Sequence, residues 1–413
     1  MKFLFVHNNF PAQFRNVAEE LRRIGSFELA AIGADGAQSL EGVALHRYQV
    51  PSFDVSATHA FARRFDAECW RAEQVLMAAA ALVSAGFIPD FILAHSGWGE
   101  TLPLRAMFPK ARMIVYCEFF YRAEGQDVHF DPSAPRFGAD GVAALQCKNA
   151  STLLALAEAD AAISPTRWQR STFPKEFQEK IEVAHEGVDL AAVRPDPTAS
   201  FKLPSGKVLR KTDEIVTFAS RNLEPMRGYH VFLRALPAIL RARPEAQVVI
   251  AGGDGNSYSH APPAGRTWKA HCLDQVLADL DLARVHFVGF LDRSSYLSLL
   301  QVSSAHVYLT YPFVLSWSLL DAMAAECAIV ASDTAPVREA IEDRKNGILV
   351  SFHDHPALSQ AVVNALANRA LSSQYGAAAR KTVAERFDKT VCTQQTLRAL
   401  GVEAPSRDAV VAA

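Results

Sequence analysis

Two arginines and one helix start hold the clearest chemistry in this chain. Arg221 and Arg227 stand in SRNLEPMRG, closed by Gly228, between an apolar run (Ile215–Ala219) and a helical pattern through Val231, Leu233, Leu236 and Leu240. Two guanidinium groups on one strand-to-helix turn can converge on a single diphosphate. They stay charged at any working pH and match phosphate oxygens in pairs. A second anion-binding feature lies in SAHVYLTYPFVLSWSLLDAMAAECAIVASDTAPVRE, residues 304–339. Ala305–Leu309 reads as a strand and Tyr311-Pro312 breaks it. Ser316 and Ser318 are N-cap residues for a helix through Leu320, Met323 and Ala324. The unpaired backbone N–H groups and the dipole of such a helix start favour a phosphate. Asp321 lies one turn into that helix.

Two further polar clusters fall at strand ends in the first half. Phe91–Ala94 leads into His95-Ser96-Gly97-Trp98-Gly99-Glu100, and Met113–Cys117 leads into Glu118-Phe119-Phe120-Tyr121-Arg122. In open parallel sheets, ligands sit at the carboxyl ends of strands, which raises both clusters above random surface. A lone histidine after a strand also serves structural ends, and Glu118 could equally be a paired structural acid. Its aromatic neighbours could instead shield it and raise its pKa. The loop HNNFPAQF after the first strand lacks the glycines of a GxGxxG dinucleotide turn. Its plain reading is a polar surface loop.

These residues are positioned by strands alternating with helical patterns. Lys2–His7, Phe27–Ile32, Phe91–Ala94, Met113–Cys117, Ala161–Ile163 and Ile181–Ala184 read as strands in the first half. Ile215–Ala219, Val248–Ala251, His286–Val288, Ala305–Leu309 and Ala328–Ala331 do so in the second. The rhythm restarts after Arg194-Pro195-Asp196-Pro197 and a polar stretch to Thr212, the best linker in the chain. The expectation is an α/β protein of two doubly wound parallel sheets. Domains at 1–195 and 205–387 follow, with a tail at 388–413.

The 413 residues suffice for two or three domains. Forty-two basic and 44 acidic residues leave a formal charge of −2, so nothing argues for nucleic acid. The apolar windows, such as Val75–Val83, fall short of the ~20 residues of a membrane span. The six cysteines show no metal spacing and read as reduced, in a cytoplasmic protein.

The long stretch resembles the family 4 glycosyltransferases. Asp321-Ala322-Met323-Ala324, Ile329–Asp333 and Pro336–Glu339 follow that pattern, and YPFVLSWSLLDAMA is similar to a bacterial subgroup. His185-Glu186-Gly187-Val188-Asp189 resembles the family's closing motif of the first domain, and RNLEPMRG carries arginines where the family has Arg and Lys. The chain departs from the pattern at Phe313, which takes the place of the first of two acids. Asp321 stands for the second, Ser316 for a loop glycine, Glu118 for a common histidine, and Glu326 for a common glycine.

The resemblance implies the GT-B architecture, two Rossmann-like domains facing a cleft, with the tail crossing back onto the first. It implies a donor site of Arg221, Arg227, Gly253, Gly289, Phe313, Ser316, Trp317, Ser318 and Asp321, the last on the ribose hydroxyls. Asn8, Asn9, Phe10, Gln13, Trp98 and Tyr121 would face the acceptor, and His95 and Glu118 the reacting bond. Transfer would retain anomeric configuration without a metal or cofactor. Arginines and a helix dipole would neutralise the leaving diphosphate. UDP is the favoured carrier, as the commonest among relatives, and the acceptor a glycan, lipid-linked or small molecule. Peripheral membrane contact would be compatible with this. The competing readings are a non-catalytic or degenerate sugar-nucleotide-binding protein and an epimerase of the same fold.

Overall fold

The computed structural model describes residues 1–402, and the chain divides into two units. The first comprises Met1–Gly187 and the residues from Lys389; the second is Val188–Asp388. Each is a doubly wound α/β unit.

In the first unit the strands are β1 (Lys2–Val6), β2 (Glu28–Ala34), β3 (Val43–Tyr48), β4 (Phe91–His95), β5 (Arg112–Tyr116), β6 (Ala161–Ser164) and β7 (Ile181–Val183). They form one parallel sheet in the order β3-β2-β1-β4-β5-β6-β7. β1 (KFLFV) shows why the sheet must be covered on both faces. Phe3 and Phe5 pack with Phe14, Val17, Leu21, Leu397 and Leu400 on one side. Leu4 and Val6 pack with Val75, Ala79, Leu82 and Leu156 on the other. Strands buried on both faces read as continuous apolar runs, so alternation is absent. Each fully buried Phe stabilises the unit by about 2–3 kcal/mol.

The helix Lys389–Leu400 puts Leu397, Ala399 and Leu400 into that same core. The tail as read from the sequence continues to residue 413, and positions 403–413 lie outside the described residues.

The second unit holds β8 (Ser200–Lys202), β9 (Val208–Arg210), β10 (Ile215–Asn222), β11 (Gln247–Gly253), β12 (Val285–Gly289), β13 (Ala305–Tyr308), β14 (Ile329–Ser332) and β15 (Ile348–Val350). Its parallel sheet runs β12-β11-β10-β13-β14-β15, and β8 and β9 form a separate antiparallel hairpin.

The boundary differs from the one read at residues 195–205. Val188 and Val193 are buried with Leu319, Leu320 and Met323 of the second unit. Arg380 donates to the carbonyls of Leu190, Val193 and Ala324, which fixes this stretch there. The polar stretch taken as a linker is the β8–β9 hairpin, anchored by buried Phe201, Leu203 and Leu209. β3 and β15 also escape a sequence reading: VALHRY mixes polar residues as an edge strand can, and ILV is very short.

Both sheets reverse direction of winding beside their first strand, between β1 and β4 and between β10 and β13. The carboxyl ends at such a switch point leave a crevice for a ligand. Among the described residues, no helix is long and apolar enough to cross a membrane.

Candidate functional site

The second unit's crevice collects four of the nine residues expected to hold a donor, Arg221, Arg227, Ser316 and Ser318. β10 ends at Asn222, and the turn after it carries Arg227 and Gly228 into the helix Tyr229–Ala242. Gly228 has φ 70°, and a Cβ there would overlap Leu309, so only glycine fits. This close approach brings the Arg227 turn against the loop after β13. Arg227 donates from Nη1 to Thr310 Oγ1 at 2.9 Å and to the Val314 carbonyl at 3.4 Å. Its guanidinium lies 5.3 Å from the Tyr258 ring and 5.9 Å from the Phe313 ring. It is therefore oriented before any ligand arrives.

The helix Trp317–Ala324 starts beside it. Ser316 is the N-cap: its Oγ accepts from Ser318 N–H at 3.3 Å and lies 2.9 Å from Ser318 Oγ. The Ser316 N–H donates to Tyr308 Oη at 3.0 Å. Burial lifts the pKa of that phenol, so it stays protonated. Two adjoining cavities meet here. One, of about 160 Å³, is lined by Arg221, Arg227, Tyr258, Ser316 and Ser318. The other, of about 380 Å³, is lined by Arg221, Gly252, Phe290, Arg293, Tyr296, Ser316 and Ser318. Arg221 and the capped helix start wall both cavities and Arg227 walls the smaller one, an arrangement whose charge favours an anion.

Other expected donor residues are placed differently. Phe313 is buried, with its ring 5.2 Å from that of Tyr258, so it forms packing beneath Arg227 more than a face for a sugar. Asp321 is also buried, and its carboxylate accepts two hydrogen bonds from Arg293, at 2.5 and 3.0 Å. Trp317 is half exposed at the first helical position. A Cβ on Gly253 would lie 2.8 Å from Asn222 Oδ1, so its role is to let β10 and β11 close together. Gly289 ends β12 at φ 68°. Glu326 has φ 60°, the left-handed conformation expected of the glycine it replaces.

In the first unit, His95 ends β4 and Glu118 follows β5. His95 Nε2 lies 3.6 Å from Glu118 Oε2, and Gln13 Nε2 donates to Glu118 Oε1 at 3.2 Å. His95 Nδ1 accepts the Gly97 N–H at 3.0 Å, which leaves Nε2 as the ring nitrogen that faces Glu118. Trp98 lies 5.9 Å from the His95 ring and 5.0 Å from the Arg64 guanidinium. Tyr121 lies under Lys148, whose Nζ is 3.5 Å from the ring. Asn8 and Asn9 stand at the end of β1, where the Asn9 N–H donates to His7 Nδ1 at 2.9 Å. Phe10 does not face a ligand: it is fully buried against Phe5, which corrects its assignment to an acceptor. The apolar strand face captured it.

The profile described as "Glycosyl transferase family 4 group" matches residues 25–193, and "Glycosyl transferases group 1" matches residues 202–382. Together they cover 350 of the 413 residues. The chain belongs to the family 4 glycosyltransferases. Among curated relatives, the phosphatidyl-myo-inositol mannosyltransferase of Mycolicibacterium smegmatis is 28% identical over 237 residues, 56% of this chain and 53% of that protein. The D-inositol 3-phosphate glycosyltransferase of Mycolicibacterium vanbaalenii is 28% identical over 177 residues, 42% and 38% of the two chains. The chain spans about half or less of the length of these relatives. Among solved structures, sucrose-phosphate synthase from Thermosynechococcus elongatus superposes with a TM-score of 0.73 at 15% identity, covering 100% of both chains. Anabaena HepE in complex with UDP and glucose does so at 0.69 and 16% identity, covering 97% of this chain and 99% of that one. The fold is GT-B.

In this family 4 member, sequence reasoning missed several residues of the crevices. Arg293 follows the N-cap Asp292, and only that capping signal marks its place. Glu224, inside RNLEPMRG, is fully buried, and its carboxylate accepts from the N–H groups of Ser257, Tyr258 and Ser259. In the first unit His7 lies 5.1 Å from His95, ring to ring. Burial, then the charge of His95, depresses its pKa to about 3. Glu100 is fully buried and accepts from Tyr48 Oη at 2.6 Å, and burial raises its pKa.

Proposed function

We propose that this chain transfers a sugar from a nucleoside-diphosphate sugar to a hydroxyl-bearing acceptor, with retention of anomeric configuration. The observation that carries the reading is the convergence of Arg221, Arg227 and the Ser316–Ser318 helix start on two adjoining cavities. Fixed cations and backbone donors stabilise negative charge as it develops on the leaving diphosphate, without reorganisation at the moment of reaction. Arg227, held by Thr310, Val314, Tyr258 and Phe313, supplies such a fixed charge. In this reading the arginines take the part a divalent cation plays elsewhere. Glu118 and His95, 3.6 Å apart in the first unit, are the pair proposed to meet an acceptor hydroxyl, whose proton Glu118 would take up. UDP as carrier is supported by HepE, solved with UDP and glucose.

The test is calorimetry of the whole chain with UDP, GDP, ADP and TDP, followed by product detection with the matching sugar donor. One nucleotide should bind, and Arg221→Ala or Arg227→Ala should each cost about 1.5–3 kcal/mol, roughly ten- to a hundredfold in affinity. Turnover should persist in excess chelator and yield product of the donor's anomeric form. Failure of all four nucleotides to bind would overturn the reading.

A further inference from the structure

A cavity of about 480 Å³ opens at the amino edge of the second unit's sheet, larger than either cavity of the candidate site. Ser303 and Ser304 of its wall lead into β13, and Ala328 leads into β14. The candidate site lies at the other edge, beyond the carboxyl ends of these parallel strands. No residue expected to meet a donor or an acceptor lines this cavity.

Two cations from remote segments converge on its wall. Lys211, just after β9, donates from Nζ to the Ser303 carbonyl at 2.7 Å. Arg369 donates from Nη1 to the Lys211 carbonyl at 3.4 Å, and from Nη2 to those of Thr212 and Asp213 at 3.0 and 2.9 Å. These bonds tie both side chains to one turn and fix where their charges lie. Every partner is an uncharged carbonyl, and among the described residues neither cation pairs with a carboxylate. Lys211 uses one of the three N–H donors of an ammonium and Arg369 three of the five of a guanidinium, which leaves two on each. Two acids share the wall. Glu326 Oε1 lies 3.9 Å from Arg380 Nε, which offsets its charge. Asp196 turns Oδ1 back onto Thr198, accepting from its N–H at 2.8 Å and its Oγ1 at 2.7 Å. Two fixed cations thus face one exposed carboxylate, and the wall favours an anion.

We propose that this cavity is a second binding site, for a small phosphate monoester whose phosphoryl group is gripped between Lys211 and Arg369. Such a group brings about two negative charges and three acceptor oxygens at neutral pH. It suits four N–H donors better than the two oxygens of a carboxylate do. The rest of the volume, in the range of small-molecule sites, takes the organic part against Pro197, Gln301 and Ser373. The site is independent of the nucleotide-sugar reading, and either can fail without the other.

The test is an NMR titration of the whole ¹⁵N-labelled chain with glycerol 3-phosphate and, separately, acetate, with sodium chloride holding the ionic strength level. Glycerol 3-phosphate should shift the amides of Ser303, Ser304, Glu326, Ser372 and Ser373 to saturation, roughly tenfold or more tightly than acetate. Lys211→Met and Arg369→Met should each weaken that binding roughly tenfold or more, as loss of a charge-assisted hydrogen bond does. Arg221→Ala, at the opposite edge, should leave these shifts unchanged, which separates them from any phosphate held there. Shifts that do not saturate, or that saturate equally with acetate, overturn the proposal. So does unchanged affinity in Lys211→Met with native circular dichroism. Arg369→Met removes three bonds to the turn at 211–213; should it fail to fold, Lys211→Met decides alone.

Discussion

Replacing Glu224 tests whether the loop beside the smaller cavity is held by a single buried carboxylate. Glu224 accepts from Ser259 N–H at 2.9 Å, Tyr258 N–H at 3.0 Å and Ser257 N–H at 3.2 Å, all through Oε2. The loop positions Tyr258, whose ring flanks both Arg227 and Phe313. Hydrogen bonds to a charged group each contribute about 1.5–3 kcal/mol net. The three amides lie in an exposed stretch and regain water once released, so Glu224→Ala should cost about 2–3 kcal/mol locally and not their full sum. The Asn222–Ser257 and Met226–Ser259 bonds survive the change, so the loop should loosen without the unit unfolding. Hydrogen exchange at Ser257–Ser259 should accelerate roughly thirty- to a hundredfold. Nucleotide affinity should fall as Tyr258 leaves Arg227. Glu224→Gln, which keeps one acceptor oxygen and turns an NH₂ toward the amides, should fall between. Unchanged exchange at those three amides in Glu224→Ala would refute the reasoning.

Phe313→Ala removes a buried ring from beneath Arg227 and should cost about 3–5 kcal/mol, read as a lower melting temperature of the second unit. If melting is unchanged and only donor choice shifts, Phe313 faces the ligand after all. Gly228→Ala forces a left-handed alanine at φ 70° against Leu309, so stability should drop by at least about 1–2 kcal/mol in chemical denaturation. Burial holds the pKa values of His7, His185 and His306 down at about 3, 4 and 4, below the unfolded value of 6.5. The folded chain thus binds fewer protons, and the stability these groups confer is complete above pH 6.5 and lost as pH falls toward 4. Each should cost about 2 kcal/mol at pH 5, and His306→Gln should flatten the decline between pH 6.5 and 5 in urea titrations.

What the sequence made legible, and what it hid, follows from how each residue makes its contacts. The strands β1, β4, β5, β10, β11, β13 and β14 are apolar on both faces because helices cover both faces, and that pattern needs no tertiary knowledge to read. Arg221, Arg227 and the Ser316–Ser318 helix start were legible for a similar reason: each follows directly from its own strand-to-helix junction, and parallel winding gathers such junctions at one edge. Phe10 and Phe313 misled because loop placement says nothing of depth; both lie in loops and both are buried. Glu224 and Arg293 were hidden because their partners are remote in sequence, thirty-three to thirty-five residues on for Glu224 and twenty-eight for Arg293. Such pairs are fixed by tertiary geometry alone. The consequence reaches the site itself. In the proposed function the junction residues would meet the diphosphate, while Glu224 holds the loop that sets Tyr258 beside Arg227. A change in Ser257–Ser259 that removes one of these N–H groups can therefore loosen the site while every residue of RNLEPMRG stays in place.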